Sequence, residues 1–582
     1  MPFRWVYTES AEQGSVRELH HSLGVSKTIA RLLTLRDIHT SDQARSFLKP
    51  QIDQLHDPFL MRDMEKASQR LSRAIRSDET VLVYGDYDVD GTTGIAAFLL
   101  FLQEFGVDVH FDIPCRFKDG CGVGPEAVRQ AASAGASLII TVDCGISAFE
   151  AADLARKLGV DMIVCDHHTV GEQLPDAHAV LNPKRPDCGY PFDGLSGAGV
   201  GFKLIQATVE KLGLGRDVAT RYLDLIAISI ASDIVPLIDE NRVMMSEGLD
   251  LINRCPRPGI QALLKQIHAR RGSVHTSTLI FSIGPRINAA GRLGDAAAAV
   301  SLMISRRRAE SERMAAELEA INTARREVDA QTMKEAVQKV EQQVNMDQAS
   351  SLVLYSPDWH LGVIGIVASR LVDLYSRPVI LLTTVDGMIK GSARSIRGFN
   401  IYEALKACDD LLVQFGGHQY AAGMTIKPSK LHEFKQRIDE LASLALADND
   451  FVPELKVDLQ IGLGEVDRAF MQSLNRFRPY GPGNKKPVFV SKGVELTGLP
   501  TIVGKGHLKL RLRQQESGVF DAIGFHMHEY LPMVRDTGRK RIDIAYEVEE
   551  NHWNGNGPLQ LKLRDIHLEQ SVSYHQGRYV VG

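Results

Sequence analysis

The chain has 582 residues, with 67 Lys plus Arg and 72 Asp plus Glu, which gives a formal net charge of −5. At about 150 residues per domain this length predicts roughly four domains, because single cores stop growing at about 250–300 residues. Hydrophobic residues make up 44%, which excludes a disordered or fibrous chain. The mild negative charge excludes a globally basic nucleic-acid coat protein, so any polyanionic partner needs a local cationic surface.

The seven cysteines are scattered and form no C-x-x-C pair. This pattern predicts neither a disulfide framework nor a zinc knuckle, and it favours a reducing compartment. We find no apolar run suited to a signal peptide, and none approaches the roughly 20 residues that span a bilayer. We therefore expect a soluble, cytoplasmic protein with no membrane partner.

Residues 1–75 are predicted to form an N-terminal helical segment. Ser26 and Ser41 each precede a run of apolar residues at helical spacing, and Pro50 ends the second run. From pattern alone we expect a small packing or lid subdomain.

Residues 76–250 are predicted to form an α/β lobe. Short apolar strands are expected at Val81–Tyr84, Leu138–Val142 and Met162–Cys165, with helices between them. Strands that alternate with helices over short connections are typical of a parallel sheet covered on both faces.

Residues 251–345 are predicted to be helical and to include one long charged helix from about 305 to 343. Such a helix would be about 55–60 Å long at 1.5 Å per residue, which suits a connector between two lobes. The arginines of this helix are expected to form a solvated face, with a binding site as the alternative.

A second α/β lobe is predicted over residues 346–450, followed by a small β-barrel over 451–582, of the OB type. In the barrel region, His507–Arg513 alternates strictly between apolar and polar residues, and Leu559–Arg564 does the same. Several short alternating strands separated by turn residues favour a barrel.

Acidic and imidazole side chains follow three predicted strands of the first lobe. Because ligands bind at the carboxyl ends of strands in open α/β sheets, we expect these side chains to lie close together. They are Asp86, Asp88 and Asp90 after the first strand, Asp143 after the next, and Asp166, His167 and His168 after the third.

So many carboxylates in one place repel one another unless cations neutralise them. Carboxylate and imidazole ligands without thiolate suit Mn²⁺ or Mg²⁺, and histidine favours Mn²⁺. The ligands suffice for two ions, and a pair of ions about 3.5–4 Å apart supports in-line phosphoryl displacement. The alternative is that each Asp caps a turn or helix; it is favoured for any single Asp, including Asp233, but not for the whole set.

Several motifs, in this order, resemble those of the DHH phosphoesterase superfamily. They are Gly85-Asp-Tyr-Asp-Val-Asp-Gly91, Thr141-Val-Asp-Cys-Gly145, Asp166-His-His168 and Ser232-Asp-Ile-Val-Pro-Leu237. Gly416–Gly423 resembles the signature of the DHH-associated domain. Segments Gly284–Leu293, Trp359–Val367 and Gly391–Ser395 extend the resemblance, over residues from about 20 to 570, to the bacterial single-strand-specific exonucleases of this superfamily.

The resemblance implies a 5′-to-3′ exonuclease that hydrolyses single-stranded DNA to mononucleotides in DNA repair and recombination. It implies two divalent cations, Mn²⁺ preferred or Mg²⁺, and a metal shell made of Asp86, Asp88, Asp90, Asp143, His167 and Asp233. Catalytic roles fall to Asp88, to Asp143 as a bridge between the ions, and to His168 as an acid or transition-state stabiliser. The chain departs from the family at Cys121, where a tyrosine is usual, so base stacking there is in doubt.

Candidate substrate contacts follow from phosphate chemistry combined with the resemblance. Arginine forks onto phosphate oxygens and nearby glycine lets backbone N–H groups approach, although a structural ion pair is the alternative for each arginine. These candidates are Arg116, Arg286, Arg292 and Arg394 in segments that resemble loops, Ser392 at the end of an expected strand, and Gly416, Gly417 and His418 next to an expected helix start. In the barrel they are Lys509, Arg511 and Arg513, with Trp553 and Phe477 as stacking groups, against the alternative of an ordinary polar barrel face.

Two other functions stay open on the sequence alone. A phosphodiesterase for cyclic dinucleotides or very short oligonucleotides would use the same metal chemistry without needing the region beyond about 452. A catalytically silent DNA-binding scaffold would have lost metal ligands, whereas the acidic set here is complete. The partners expected from the resemblance are single-stranded DNA, a single-strand-binding protein and a helicase, with the chain acting as a monomer.

Overall fold

The computed structural model describes residues 3–8, 12–114, 122–270, 272–515, 517–536, 541–551, 558–568, 573–575 and 578–580. The chain forms two compact units, which are Met1–Pro50 together with Val452–Gly582, and Gln51–Phe451. The structure thus divides the predicted segment 1–75 between the two units.

The first 50 residues form a strand and three helices. They are β1 (Arg4–Tyr7), α1 (Gln13–Leu23), α2 (Lys27–Thr34) and α3 (Ser41–Leu48). Ser26 caps α2 by accepting a hydrogen bond from the N–H of Ile29. Leu33 of α2 belongs to the same hydrophobic core as Phe477 and Leu510, which explains why this segment joins the C-terminal unit.

The unit Gln51–Phe451 begins with a parallel sheet and its flanking helices, which we call the first lobe. Its elements are α4 (Met64–Arg76), β2 (Val81–Gly85), α5 (Val89–Glu104), β3 (Val109–Asp112), α6 (Pro125–Ser133), β4 (Leu138–Val142), α7 (Phe149–Leu158), β5 (Asp161–Cys165), β6 (Ala179–Leu181) and α8 (Gly197–Lys211). Met64 and Leu71 of α4 share a core with Val81 and Val83, so α4 belongs here and not with α1–α3.

The strand order of this sheet is β3-β2-β4-β5-β6, and every pairing is parallel. The chain leaves β2 toward β3 on one side and returns to β4 on the other side. A switch point therefore lies between the carboxyl ends of β2 and β4, where doubly wound sheets bind ligands. The predicted α/β fold class is confirmed.

Helices follow and end in a long connector. They are α9 (Asp217–Thr220), α10 (Leu223–Ser232), α11 (Asp239–Arg254), α12 (Pro258–Gln266), α13 (Thr276–Thr278), α14 (Gly284–Leu293), α15 (Ala297–Ile304) and α16 (Arg308–Gln343). The 36 residues of α16 span about 54 Å at 1.5 Å per residue.

The second lobe contains a mixed sheet. Its elements are β7 (Leu352–Tyr355), α17 (Leu361–Tyr375), β8 (Val379–Val385), β9 (Met388–Arg394), α18 (Ile401–Lys406), β10 (Leu412–His418), β11 (Ala421–Ile426) and α19 (Leu431–Ala445). The order is β10-β11-β9-β8-β7, with β7 and β8 parallel and the other pairings antiparallel.

The C-terminal unit contains the predicted barrel. Its elements are β12 (Glu454–Val457), β13 (Leu459–Gln460), α20 (Arg468–Asn475), β14 (Phe489–Leu496), β15 (Thr501–Val503), β16 (His507–Arg513), β17 (Phe520–Gly524), α21 (Tyr530–Asp536), β18 (Ile542–Glu550), β19 (Leu559–Leu568), β20 (Ser573–His575) and β21 (Arg578–Val580). The sheet order β13-β14-β18-β19-β17-β16-β15 is closed by an additional pairing of β14 with β16. Two two-stranded sheets complete the described part of this unit: β1 pairs with β12 in parallel, and β20 pairs with β21 in antiparallel orientation.

Among the described residues, no helix combines the length and the hydrophobicity that crossing a bilayer requires.

Candidate metal centre and phosphate-binding cavity

The first two carboxylates of the site follow strand β2. Asp86 directly follows the strand, and Asp88 is the N-cap of α5, where its Oδ1 accepts hydrogen bonds from the N–H groups of Asp90 and Gly91 at 2.8 and 3.2 Å. A Cβ on Gly91 would lie 2.2 Å from the carbonyl oxygen of Asp86. Glycine is therefore required here for α5 to begin so close to the strand end.

Asp90 lies in the first turn of α5 and is almost fully buried. Its carboxylate accepts hydrogen bonds from the N–H groups of Gly197 and Ala198 at 2.7 and 2.8 Å, and from Ser229 Oγ at 2.6 Å. These donors come from α8 and α10, so the core of the lobe holds this carboxylate in place.

Asp143 follows β4 in the left-handed region, with φ 61°. Its buried Oδ1 lies 3.2 Å from His167 Nε2 and accepts no hydrogen bond among the described residues. A Cβ on Gly197 would lie 2.6 Å from Asp143 Cα, so the start of α8 packs directly on this residue. Asp143 thus sits between the ends of β2 and β5, with an acceptor left for a ligand.

Three groups of potential metal ligands have donor atoms within 4.8 Å of one another. They are Asp86 with Asp88 and Asp143; Asp143 with His167 and His168; and Asp90 with His167 and Asp233. Asp233 closes α10 and brings its Oδ2 to 3.5 Å from His167 Nε2. The structure therefore brings together all six residues predicted as a metal shell.

The electrostatics of these groups favour a cation. Burial, and then repulsion from Asp90 and Asp88, raises the pKa of Asp143 well above its ordinary value and that of Asp233 to about 8. Burial also raises the pKa of Asp88 and lowers that of His167, which keeps this imidazole neutral and able to act as a ligand. Carboxylates in such a cluster ionise together only when positive charge enters.

Asp166 has a role that the sequence did not reveal. It is buried and accepts hydrogen bonds from His168 Nδ1 at 2.7 Å and from the N–H groups of His167, His168 and Ile146. Burial raises the Asp166 pKa, but these bonds outweigh it and the net shift is downward. The same bond to Asp166 raises the pKa of His168 to about 9, so His168 is a cation at neutral pH.

A cavity of about 690 Å³ brings candidates from α14 and from the second lobe close to the acidic loop. Arg292, Ser392, Arg394, Gly416 and Gly417 line this cavity together with Tyr87, which lies between Asp86 and Asp88. Three further residues that line this cavity were not predicted from the sequence. They are Tyr87 and two glycines of α17, Gly362 and Gly365.

Arginine and serine side chains in this cavity are fixed by short contacts. Arg394 Nη1 lies 3.2 Å from Ser392 Oγ, and its Nε donates to Ser369 Oγ at 3.2 Å. Arg292 Nη1 donates to the carbonyl of Gly362 at 2.9 Å. A Cβ on Gly365 would lie 2.9 Å from Ser392 Oγ, so a glycine there lets α17 approach; the spacing Gly362-x-x-Gly365 on one helix face was the available signal.

Several predicted local settings are wrong. Arg286 and Arg292 lie in helix α14 and Arg394 in strand β9, because apolar neighbours such as Ile287 and Ala393 are buried on regular elements and not in loops. Gly416, Gly417 and His418 lie on β10 and not at a helix start, since β10 and β11 form a hairpin that leaves β10 at the sheet edge.

Other candidates do not line the cavity. Arg286 forms an ion pair with Glu319, which was its structural alternative. His418 is exposed on β10. Phe477, predicted to stack on DNA, is fully buried in the core of the C-terminal unit, because its large apolar ring packs there against Phe47.

In the C-terminal unit, Lys509, Arg511 and Arg513 point away from the buried leucines of β16, as the alternation predicted. Arg511 and Arg513 lie 3.9 and 3.5 Å from Asp521 and Glu495. Arg116, Cys121 and Trp553 lie outside the described residues.

Comparison with known proteins assigns this architecture. The model of the DHH family N-terminal domain matches residues 80–230, the DHHA1 domain model matches 348–444, and the RecJ OB domain model matches 457–565. A parallel sheet with a carboxylate-rich carboxyl edge, followed by the DHHA1 lobe, defines the class as a DHH-type phosphoesterase.

Similar proteins identify the family within this class. The single-stranded-DNA-specific exonuclease RecJ of Bacillus subtilis is 39% identical over 570 residues, which cover 97% of this chain and 71% of that protein. Its Escherichia coli counterpart is 35% identical over 86% of this chain and 90% of its own length. The crystal structure of Thermus thermophilus RecJ in complex with Mn²⁺ matches 98% of this chain and 80% of that chain, with a TM-score of 0.83 and 29% identity. The chain belongs to the RecJ family of single-stranded-DNA-specific exonucleases.

Proposed function

We propose that this chain is a metal-dependent exonuclease that hydrolyses single-stranded DNA from its 5′ end and releases mononucleotides. The observation that carries the proposal is the set of six oxygen and nitrogen ligand residues at the sheet switch point, near a cavity lined by Arg292 and Arg394. The relatives from Bacillus and Escherichia, both single-stranded-DNA-specific exonucleases by name, support the same substrate.

The residues present fit divalent cations. Asp143 Oδ1 and His167 Nδ1 are buried without a hydrogen-bond partner among the described residues, and the donor set contains only carboxylate and imidazole. Cys144 and Cys165 are nearby in sequence, but burial raises the pKa of both thiols, so they do not supply thiolate ligands. Such a set suits Mn²⁺ or Mg²⁺, and related structures hold each of these ions.

We assign the metal shell to Asp86, Asp88, Asp90, Asp143, His167 and Asp233. Asp143 and His167 each belong to two of the three ligand groups, and Asp143 would be the residue shared between two ions because a carboxylate offers two oxygens. When bound, the cations would supply Lewis-acid activation of the attacking water and neutralise the phosphate.

His168 is the proposed acid. Asp166 holds its Nδ1, and the resulting pKa of about 9 keeps a proton on the ring at neutral pH. The imidazolium then stabilises the charge that develops on the scissile phosphate, or gives its proton to the departing 3′ oxygen. Its side chain is 51% exposed, so substrate can reach it.

Substrate positioning is proposed for the cavity beside Tyr87. Arg292, Ser392 and Arg394, with Gly416 and Gly417, offer donors suited to a terminal phosphate. We also propose DNA contacts from Arg286 and His418, from Arg116, and from the barrel residues Lys509, Arg511 and Arg513.

The small-substrate alternative does not need a barrel, whereas residues 457–565 match the RecJ OB domain. The scaffold alternative requires lost ligands, whereas the ligand set is complete. Both observations favour the exonuclease.

End-labelled single strands test the proposal. With Mn²⁺ present, a 5′ label should leave as mononucleotide at the first time points while a 3′ label stays on shortening strands, and chelation should stop both. Early release of the 3′ label, or hydrolysis that survives chelation, would contradict the proposal. The same assay on trinucleotides and on 60-nucleotide strands separates the exonuclease from a small-substrate enzyme.

The biological setting is also proposed. We infer action in the cytoplasm as a monomer, in DNA repair and recombination, alongside a single-strand-binding protein and a helicase. The cysteines that the structure describes, Cys144, Cys165, Cys188, Cys255 and Cys408, are all free thiols, which supports a reducing compartment. Light scattering during size-exclusion chromatography would measure the oligomeric state.

A further inference from the structure

A second polar cavity lies beside the amino ends of the strands in the first lobe's sheet, at the opposite end from the metal ligands. It measures about 640 Å³ and is lined mainly by one face of α4, together with His178 and Lys211. Ser137, whose carbonyl accepts from Arg70 Nη2, precedes β4, whereas Asp143 follows it. At about 3.3 Å per residue, the strand separates this cavity from the metal centre by about 20 Å.

The sequence of α4 explains this face. Met64, Ala67, Leu71 and Ala74 are buried in the lobe's core. Basic side chains recur at helical spacing on the other side, at Lys66, Arg70, Arg73 and Arg76, and all four line the cavity.

The cavity carries more positive than negative charge. Its lining includes five lysines and arginines and one acid, Glu65, which pairs with Lys211 at 2.6 Å. Glu79 and Asp161 form ion pairs with Arg70 and Arg73 behind the lining. Lys66 and Arg76 are exposed and make no ion pair among the described residues.

Two buried lining residues each carry a polar atom without a partner. Arg70 and Ser72 are 4% and 3% exposed, yet Arg70 Nη1 and Ser72 Oγ form no hydrogen bond among the described residues. Leaving buried donors unmatched costs free energy, so each such group calls for an explanation such as an absent ligand. Burial lowers the pKa of His178, the nearby Asp161 raises it, and the cations Lys66, Arg70 and Arg73 lower it by smaller amounts.

We propose that this cavity is a second ligand site, which binds a small oligophosphate anion away from the metal centre. Lys66 and Arg76 are ten residues apart, about 15 Å along the helix, so the cations suit several linked phosphates better than one small anion. The volume lies within the range of small-molecule sites. Among the residues that the structure describes, no Phe, Tyr or Trp lines the cavity, so recognition rests on charge and not on base stacking.

Inorganic triphosphate is a suitable probe, titrated calorimetrically in EDTA at constant ionic strength. All titrations use an Arg394→Gln background, because the cavity beside Tyr87 is itself proposed to take phosphate. We expect one site, weakened about tenfold or more by Lys66→Gln/Arg76→Gln and a few-fold by Ser72→Ala. Circular dichroism checks that these variants stay folded.

The matched control is Arg254→Gln/Arg270→Gln, two exposed arginines at a different cavity, which should leave affinity unchanged. Absence of binding, or equal weakening by the two double variants, would overturn the proposal. Binding that is absent in EDTA and appears only when Mn²⁺ is supplied would place the anion at the metal centre instead. Displacement of triphosphate by a ten-nucleotide single strand would assign the cavity to DNA, and this result would also overturn the proposal. None of these outcomes depends on exonuclease activity.

Discussion

The two lobes of the unit Gln51–Phe451 both present polar groups from a sheet, but of opposite kinds. The first lobe gathers carboxylates and imidazoles where parallel strands end. The second lobe contributes glycines, Ser392 and Arg394 to a cavity, from an antiparallel part of a mixed sheet and from α17. One lobe requires positive charge and the other requires negative charge.

This difference indicates that the two lobes have different roles toward a phosphodiester. Cations that satisfy the carboxylates of the first lobe would also attract a phosphate, and the proposed role of Arg394 in the second lobe is to bind the same kind of group directly. Damage to the first lobe should therefore abolish chemistry, whereas damage to the second should mainly weaken binding.

The strongest test of this comparison is Asp143→Asn. The variant removes a proposed bridging carboxylate while keeping a residue type that tolerates the left-handed backbone at φ 61°. We expect kcat to fall on the order of 10³-fold or more, with the melting temperature kept or raised because a crowded charge is lost. The matched control is Asp386→Asn, which also has positive φ (52°) and lies exposed on the second lobe. Near-normal turnover by Asp143→Asn would refute its assignment as a ligand.

The next test concerns the proton on His168. Removing the hydrogen bond in Asp166→Asn should let the His168 pKa fall from about 9 toward its ordinary value of 6.5. The alkaline limb of the kcat profile should then move to lower pH, since the acid form is lost earlier, and His168→Gln should lower kcat about 10²–10⁴-fold across the range. An unshifted profile in Asp166→Asn would remove His168 from the proton-bearing role.

The third test uses arginine in the second lobe. Arg394→Gln should raise KM for 5′-phosphorylated strands about 10–100-fold, the cost of one charged hydrogen-bonding group, and change kcat little. Strands with a 5′ hydroxyl should be affected less. Arg397→Gln, three residues away and outside the cavity lining, serves as the control. If kcat fell as far as in Asp143→Asn, the two lobes would not divide the work as proposed.

The smallest expected effect is a pH-dependent thermal shift. The folded Asp233 pKa of about 8 lies above the ordinary 3.8, so the folded state holds a proton that the unfolded chain releases. The free energy of unfolding of the metal-free protein should therefore fall as pH rises from about 4 to 8. Stabilisation by Mn²⁺ should grow by a few degrees over the upper part of this window, because metal competes with protons. Scanning calorimetry measures both, and Asp233→Asn should flatten the dependence; a flat wild-type response would contradict the raised pKa.

The clustering of the carboxylates and imidazoles in the first lobe was largely predictable from sequence. Parallel strands buried on both faces appear as continuous apolar runs, as in Leu138–Val142, so the position where each run ends locates Asp143 and its neighbours. Short connections between strands and helices also predict parallel pairing, but they do not determine the strand order β3-β2-β4-β5-β6.

The rest of the site was less predictable. Arg292 and Arg394 were expected in loops because glycines lie beside them. In the structure these glycines lie within a helix and a β-hairpin, where they allow close packing and do not mark irregular backbone. Phe477 could not be distinguished from a stacking group because exposure depends on long-range packing. The role of Asp166 depends on a bond to a residue only two positions away, in a turn whose geometry no periodicity reveals.

Helix α16 sets the rotation of the second lobe about the helix axis as well as its distance along that axis. Each residue inserted into an uninterrupted helix advances the chain by 1.5 Å and turns it by about 100°, because 3.6 residues complete a turn. A flexible tether would absorb a one-residue insertion, whereas this 36-residue rod would swing the second lobe around its axis. The length of α16 therefore sets both the distance and the rotation of the second lobe. We expect natural insertions and deletions in this helix to add or remove close to whole turns.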